Sequence, residues 1–553
     1  MRIFLVPIFL AGCLFGCGGG GGGSGSADST PINNGPDSNS EPEPTEILLL
    51  DSVPVNGAPA IDAGAITFNF AHPAHSDLSI NLASDCAELR GETLRRHLLD
   101  TAESQLDEVL DHHISCNLEE NTSYQIVANG ERDDGTDFRA ALEFSTGNNA
   151  LESVTVQDSI SIPQSEIDDI FQSYVEGALV NQLEVPELIE SLIVDLITQL
   201  AEANWGTLTD PDPLYAVVAE RVSYSSRSPS GEPSVLSGLV ARPVVDSSFN
   251  PRDRFIILSH ATGSTPGDLN QADAWFILAS MFASRGYLVV AADNYGRGTS
   301  SDQEETYLMA NRTAYNTLDL ARLVLNDANY NDAYSGTQAA VIGYSQGGHS
   351  AVAVWLMHEL QSSPGLDISL LYAGGAPHNL YHTVKGVLKH IDGSCNDAFC
   401  ELVDTETTVP FATNRIFPAL LAHNDTGLTS EEVLANEGIA SDFVSGFLAN
   451  ETKYDKMKAL LQLNSFTSIS NADVLSASST SVHLYHSDYD RLVPAKNTED
   501  LLAVLETNVN VEYHRDRCNS DGYETIFNLT DRVGVVHTLC GLSVLDDAMQ
   551  DLR

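Results

Sequence analysis

The run Gln338-Ala339-Ala340-Val341-Ile342-Gly343-Tyr344-Ser345-Gln346-Gly347-Gly348 constrains this chain more than any other stretch, because an apolar strand ends in G-x-S-x-G and then opens a helical pattern, Ser350 to Leu356. A strand that turns directly into a helix belongs to an α/β architecture, and the turn between them has to be tight. Glycines on either side of Ser345 let the chain pass where a Cβ would clash. A serine hydroxyl is a poor nucleophile by itself, so a serine pushed out of such a turn makes chemical sense only beside a base and a pair of backbone N–H donors. The five letters alone arise by chance roughly 0.2 times in a chain of this length and composition, so the flanking strand and helix carry the argument.

Partners for the serine should follow in chain order, an acid and then a histidine, each in a loop after a strand. The strand-like Ser481-Val482-His483-Leu484-Tyr485-His486 runs into Ser487-Asp488-Tyr489-Asp490-Arg491-Leu492-Val493-Pro494. Here the chain resembles the α/β-hydrolase family, whose acid sits in a pattern like H-G-x-x-D-x-x-V-P. Aligned on His486 and Val493-Pro494, that pattern selects Asp490, with Ser487 in place of the usual glycine and Asp488 as the alternative. After one more strand, Val509 to Tyr513, the resemblance calls for a histidine near the C-terminus. His537 in Gly534-Val535-Val536-His537-Thr538-Leu539-Cys540 meets that requirement; His514, in or just past the strand, is the other histidine beyond the acid.

The two N–H donors for a substrate oxyanion come from the residue after the nucleophile, which is Gln346, and from the loop after the strand Arg254 to Ser259. His260-Ala261-Thr262-Gly263 resembles the H-G-x-G loop of lipases and esterases. Ala261 replaces a glycine, which leaves Ala261 or Thr262 as the donor, and the family analogy favours Thr262. Losing one such donor typically costs about 2.7–4 kcal/mol of transition-state stabilisation. Asp293-Asn294-Tyr295-Gly296-Arg297-Gly298-Thr299-Ser300, then Tyr307-Leu308 and a helix from Ala314 to Leu325, look like the loop after the fourth strand and the helix that follows it in secreted lipases and esterases, with Asn294 where those have tyrosine. The resemblance implies an α/β-hydrolase domain with a mostly parallel sheet, and an ester hydrolase working through an acyl-enzyme. His349, one turn beyond Ser345, is expected to pack beneath the site, and His260 to organise its loop.

The rest of the chain divides by composition. Residues 1–12 read as a signal segment, and Leu10-Ala11-Gly12-Cys13 resembles a bacterial lipobox with Cys13 as the lipidated residue; Cys17 sits in a poorer version of the same box. Residues 13–45, rich in Gly, Ser and Pro, form a flexible linker with almost nothing to bury. Over 46–148, short alternating segments such as Ile66 to Phe70 and Ala141 to Phe144 indicate a small β-sandwich, and its opening and closing segments look like bacterial Ig-like domains. The stretch from Arg90 to His113 is more helical in pattern than such a fold needs, and His97, His112 and His113 read as solvated loop residues. Residues 149–553 form the hydrolase domain, with a helical lead-in over 162–204, a hairpin at Tyr215 to Tyr224 and Val235 to Val244, and an insertion at about 376–478 that is longer than a connection requires. An insertion there lies over the catalytic edge of the sheet as a cap. Phe411, Phe417, Leu420, Leu421, Phe443 and Phe447 are its candidate pocket walls, although most should form the cap's own core.

A formal net charge of −50 over 553 residues repels nucleic acid and anionic membrane faces; the lipobox resemblance implies a lipid anchor as the membrane contact, and the hydrolase resemblance an ester as the partner. Beyond Cys13 and Cys17, six cysteines group by proximity as Cys86 with Cys116, Cys395 with Cys400, and Cys518 with Cys540; export favours disulfides. No C-x-x-C pair or H-E-x-x-H stretch implies a metal, and no cofactor fingerprint is present. The expected protein is an exported, outer-membrane-anchored serine carboxylic-ester hydrolase. A peptidase or amidase on the same fold, and a non-catalytic surface-binding protein with a degenerate hydrolase fold, remain as alternatives.

Overall fold

The computed structural model describes residues 49–552 except 74–78, 83–91, 103–105, 132–136, 149–153, 168, 171–203, 210–211, 248, 362–365, 437, 520–523 and 525–533. The expected signal, Cys13, Cys17, the linker, Cys86 and most of the 162–204 lead-in lie outside the described residues.

The N-terminal part is all β. Strands β1 (Asp51–Val53), β3 (Gly64–Pro73), β5 (Thr93–His97) and β6 (Glu108–Leu118) form one four-stranded sheet in the order β1-β3-β6-β5. Strands β2 (Ala58–Ile61), β4 (Ser79–Leu82), β7 (Ser123–Glu131) and β8 (Asp137–Thr146) form a second, ordered β2-β8-β7-β4. Phe68, Phe70 and Ile114 from the first sheet meet Tyr124, Ile126, Leu142 and Phe144 from the second in one core, as alternating strand residues should. Within the segment expected to be helical, Arg90 to His113, the described residues hold strand β5 and the first half of β6. His112 and His113 are buried, not solvated: His112 lies with a ring nitrogen 2.9 Å from that of His72, and His113 lies 3.3 Å from the Asp111 carboxylate. A polar stretch that looked like an exposed loop is in fact a strand, in which His112 meets His72 of β3 and His113 meets Asp111 of its own strand.

The second part is a nine-stranded sheet with helices on both faces. After β9 (Val154–Ile162), which the sequence pattern did not reveal, come β10 (Val217–Arg227), β11 (Pro233–Pro243), β12 (Arg252–Ser259), β13 (Val289–Ala292), β14 (Tyr334–Tyr344), β15 (Asp367–Gly374), β16 (Ser481–Tyr485) and β17 (Asn510–Tyr513). Their spatial order is β17-β16-β15-β14-β12-β13-β11-β10-β9. Pairing is parallel from β13 through β17 and antiparallel among β13, β11, β10 and β9. Strand residues alternate between the two helical layers: Ile256, Leu258, Ala340 and Ile342 face one core, while Phe255, Ile257, Ala339 and Val341 face the other. Helices α1 (Ala274–Ser284), α2 (Ala310–Asn326) and α3 (Gln346–Gln361) cover the middle of the sheet. The side chain of Asp273 caps α1 by accepting from the amides of Trp275 and Phe276.

Between β15 and β16 lies the helical cap: α4 (Leu380–Asp392), α5 (Thr405–Phe411), a π-helical turn (Ala412–Ile416), α6 (Phe417–His423), α7 (Ser441–Leu448) and α8 (Asp455–Leu463), with shorter turns between them. Phe417, Leu420, Phe443 and Phe447 build the cap's own core, so of the six candidate wall residues Phe411 alone lines the cavities described below. Helix α9 (Lys496–Leu505) and the C-terminal α10 (Val535–Asp551) complete the domain.

The β-sandwich is not a free spacer. Leu98, Leu106 and Val109 share a core with Ala459 and Leu463 of the cap. Asp100 accepts from the Lys385 ammonium and, at 2.8 Å, from the Tyr381 hydroxyl, and its carbonyl accepts from Lys458 at 2.7 Å. The buried Arg96 guanidinium donates to the Ser465 carbonyl at 2.9 Å while paired with Asp111. No described helix is long and apolar enough to cross a membrane.

Candidate active site

Ser345 stands between the end of β14 and the start of α3, in left-handed backbone with φ 58°. A non-glycine residue tolerates that conformation only where its surroundings over-determine it. Two glycines allow the surroundings to close in: a Cβ on Gly343 would sit 2.0 Å from the Gly347 carbonyl oxygen, and one on Gly347 would sit 2.0 Å from that of Ser259. The turn is further pinned by the Ser345 amide, which donates to the Gly374 carbonyl at 2.9 Å. G-x-S-x-G is thus a packing requirement of the strand–helix crossing.

Asp490 and His537 come together, from the loop after β16 and from the first turn of α10. The His537 Nδ1–H donates to Asp490 Oδ2 at 2.6 Å. The other carboxylate oxygen accepts from the amides of Leu492 and Val493 at 2.9 and 3.0 Å. His486, which donates through Nε2 to the Val493 carbonyl at 2.8 Å, also lies 3.4 Å from Oδ2. Burial alone would push the Asp490 carboxyl up, but the adjoining His537 and His486 outweigh it and hold the group well below the usual carboxylate range. With its Nδ1 proton committed to Asp490, His537 presents a buried Nε2 that has no hydrogen-bond partner among the described residues. Tyr344 steadies the histidine from behind, its hydroxyl donating to the His537 carbonyl at 2.5 Å. The Cys518–Cys540 disulfide ties α10 one turn beyond His537 to the segment after β17, and Cys395–Cys400 is also formed. Cys116 is disulfide-bonded, whereas Cys86 is outside the described residues. The alternatives lie elsewhere: Asp488 pairs with Arg515 at 2.8 Å, and His514 contacts His483.

Ser345, His537, Ala261 and Thr262 line one cavity. Gln346 opens α3, so its amide belongs to the first turn, where a helix leaves N–H groups without intrahelical acceptors. Thr262 is fixed by a 2.9 Å hydrogen bond between its hydroxyl and that of Tyr307. The ring of His260 lies 3.0 Å from the Ala261 carbonyl and 3.2 Å from that of Asp293, which makes it a loop organiser. His349, in the first turn of α3, is buried and donates from Nε2 to the Asn464 carbonyl at 2.8 Å; burial depresses it to about 4, so it stays neutral at ordinary pH.

Several neighbours carried no sequence signal. The Gln346 side-chain amide donates at 2.8 Å to the buried Glu305, whose second oxygen takes the Arg415 guanidinium of the cap at 2.6 Å. Trp275, Leu278 and Leu542 line the cavity on the α1–α10 side, and a second cavity opens from Ser345 toward Leu308, Val384 and Ile416. Phe411 and Leu492 border both. Apart from Leu308, Gln346 and Phe411, these residues lie far apart in sequence and sit in no motif.

The sheet order, the crossing at Ser345 and the acid–histidine pair at the carboxyl ends of the strands define an α/β-hydrolase-like fold. A Legionella pneumophila protein named provisionally as a hydrolase superposes with a TM-score of 0.51 at 16% identity, covering 72% of this chain and 97% of its own. Residues 263–531 match the family model of secretory lipases. The rice cell wall degrading esterase LipA from Xanthomonas oryzae is similar over 72% of this chain and 99% of its own, at 19% identity and a TM-score of 0.47. Candida antarctica lipase A covers 65% of this chain and 75% of its own, at 16% identity and a TM-score of 0.37. No curated protein matches the chain.

Proposed function

We propose that the chain is an exported serine carboxylic-ester hydrolase. The observation that carries the proposal is the convergence of Ser345 with an unpartnered His537 Nε2, in a cavity where His537 is oriented through Nδ1 by a buried, ionised Asp490. The match to the secretory lipase family supports an ester as substrate.

In this reading His537 Nε2 takes the Ser345 proton as the hydroxyl attacks the ester carbonyl, and the imidazolium is stabilised by Asp490. The oxyanion is held by the amides of Gln346 and of Thr262 or Ala261. His537 then passes its proton to the leaving alcohol, and water cleaves the acyl-enzyme by the same steps. The apolar lining by Trp275, Leu278 and Leu542 suits an acyl chain on one side of Ser345, and the second cavity suits the alcohol. The lipobox reading at Cys13 adds export and anchoring at the outer membrane, and the sandwich is read as an Ig-like module that braces the cap.

The test is a fluorophosphonate probe together with p-nitrophenyl esters. Probe adduct should map to the peptide bearing Ser345, and Ser345→Ala should abolish both labelling and ester turnover while leaving the circular dichroism spectrum unchanged. Full turnover by that variant would overturn the nucleophile, and an unlabelled wild-type protein would favour the non-catalytic alternative.

A further inference from the structure

The outer edge of the sheet carries a second group of side chains that the ester chemistry does not use. His483 on β16, and Glu512 and His514 on and just past β17, each offer one ligand atom, and these atoms lie within 4.8 Å of one another. We propose that His483, Glu512 and His514 bind one divalent transition-metal ion of the Zn2+ class, which cross-links the last two strands of the sheet.

The placement follows from register. His483 and Glu512 are cross-strand partners in a parallel pair, and His514 lies two residues beyond Glu512, so all three emerge on one face. His483 Nδ1 is 2.9 Å from His514 Nε2, and that nitrogen is 3.6 Å from Glu512 Oε2. Bonds of about 2.0–2.2 Å to a tetrahedral ion set its donors roughly 3.3–3.6 Å apart, so the His514–Glu512 separation fits as it stands and the two imidazole nitrogens part slightly to admit the ion. Two imidazoles and a carboxylate select a borderline-soft ion such as Zn2+ over Ca2+ or Mg2+, which prefer oxygen alone.

The surroundings orient the ligands as a metal requires. The far nitrogen of His483, Nε2, lies 3.2 Å from the Ser481 hydroxyl, a contact that orients the ring and leaves Nδ1 facing His514. Asn510 donates to the same hydroxyl at 3.2 Å, which fixes it in turn. The rings are held by stacking: His483 on Tyr372 at 4.7 Å between centroids and 9° between planes, and His514 on Tyr485 at 4.7 Å and 15°. Glu512 is exposed, so an ion can enter from solvent and keep a water as fourth ligand. No short-range pattern announces the site, because its ligands come from two strands about thirty residues apart in a cross-strand arrangement.

An ion here would act on structure. Strand β16 runs directly into the loop of Asp490, and the segment after β17 is disulfide-bonded to the helix of His537, so a cross-link between β16 and β17 steadies the frame that brings acid and histidine together.

The experiment is calorimetric titration of Zn2+ into the chelator-treated full chain, repeated with His483→Phe and His514→Phe, which preserve the ring stacks, and accompanied by Co2+ absorption spectra. One Zn2+ per chain with at least tenfold weaker binding in each variant, a tetrahedral Co2+ band in the wild type alone, and a Zn2+-dependent rise in Tm that the variants lose are expected. Absence of saturable binding to the wild type, or binding with unchanged affinity in both variants, overturns the proposal. Circular dichroism of each variant separates lost ligation from lost folding. Ester turnover is not the readout, so the result stands apart from the proposed reaction.

Discussion

The guanidinium of Arg415, on the π-helical turn of the cap, lies 2.6 Å from Glu305, and through that carboxylate the cap reaches the residue next to Ser345. Glu305 is 7% exposed and divides its oxygens between Arg415 and the Gln346 side chain, while Arg297 stands 3.7 Å away. A buried carboxylate with this many donors is costly to disturb, because removing one partner leaves the others uncompensated.

Glu305→Ala should therefore lower kcat more than it raises KM, since it frees the first turn of α3, where the proposed oxyanion donor sits. A loss of roughly tenfold in kcat is expected, smaller than deletion of a donor itself because the backbone amide remains in place. Steady-state kinetics on a p-nitrophenyl ester check this, and a change in KM alone would place Glu305 in substrate binding instead.

Phe411 borders both cavities at Ser345, with Leu492 opposite in the same two linings. In the proposed reaction these two cavities take the two halves of the ester. Phe411→Ala should merge the cavities and shift the acyl preference toward longer or branched chains by tens-fold in relative kcat/KM, a methylene in an apolar pocket being worth about 1–3 kcal/mol. A chain-length series from acetate to decanoate measures it; an unchanged profile would mean that the chain enters elsewhere.

Much of this site was legible because each part is local. The serine turn and the acid loop are each a strand–loop signature within a dozen residues, whereas His537, in the first turn of α10, is marked by its place near the C-terminus, and the fold brings it within 2.6 Å of Asp490. What was not legible depends on distance in sequence. Glu305 and Arg415 are 110 residues apart and meet only when the cap folds over the sheet. His112 and His113 looked solvated because two polar neighbours suggest a loop, yet β6 places both in the interior, where cross-strand and ion-pair partners offset the burial. Strand β9 was hidden for another reason: its residues are mostly exposed, so no apolar alternation marked it.

The Cys518–Cys540 disulfide closes a loop of sequence separation 22 and anchors the helix of His537. Chain-entropy arguments give a closed loop of that size about 3 kcal/mol of stabilisation. Paired Cys518→Ser and Cys540→Ser substitutions should lower Tm by several degrees, and heat inactivation of esterase activity should move to lower temperature with it. If inactivation falls well before global unfolding, the bond chiefly holds His537 in place; coincident shifts would mean that it stabilises the whole domain.

Stability should decline on mild acidification, and buried histidines set the sign. Burial depresses His349 to about 4, partly countered by its bond to Asn464, and depresses His112 to about 3, with His72 adding to the effect. Unfolded, each takes a proton as pH falls through about 6.5, whereas the folded chain refuses it until the lower value is reached. The stabilisation is therefore whole above 6.5 and is lost progressively as pH falls toward the folded values. For a group like His349 the loss between pH 7.5 and pH 5 is on the order of 2 kcal/mol. Asp490 does not contribute in this window: its folded pKa is depressed, so its stabilisation is lost only as pH falls below the ordinary 3.8. Asp293 and Asp546, raised by burial, act with the opposite sign, and a single-residue comparison isolates the histidine. His349→Gln cannot titrate and can still donate to the Asn464 carbonyl, so calorimetric Tm measured at pH 7.5, 6 and 5 should fall less steeply for that variant than for the wild type. Parallel Tm profiles for the two proteins would show that His349 takes no part in the acid response.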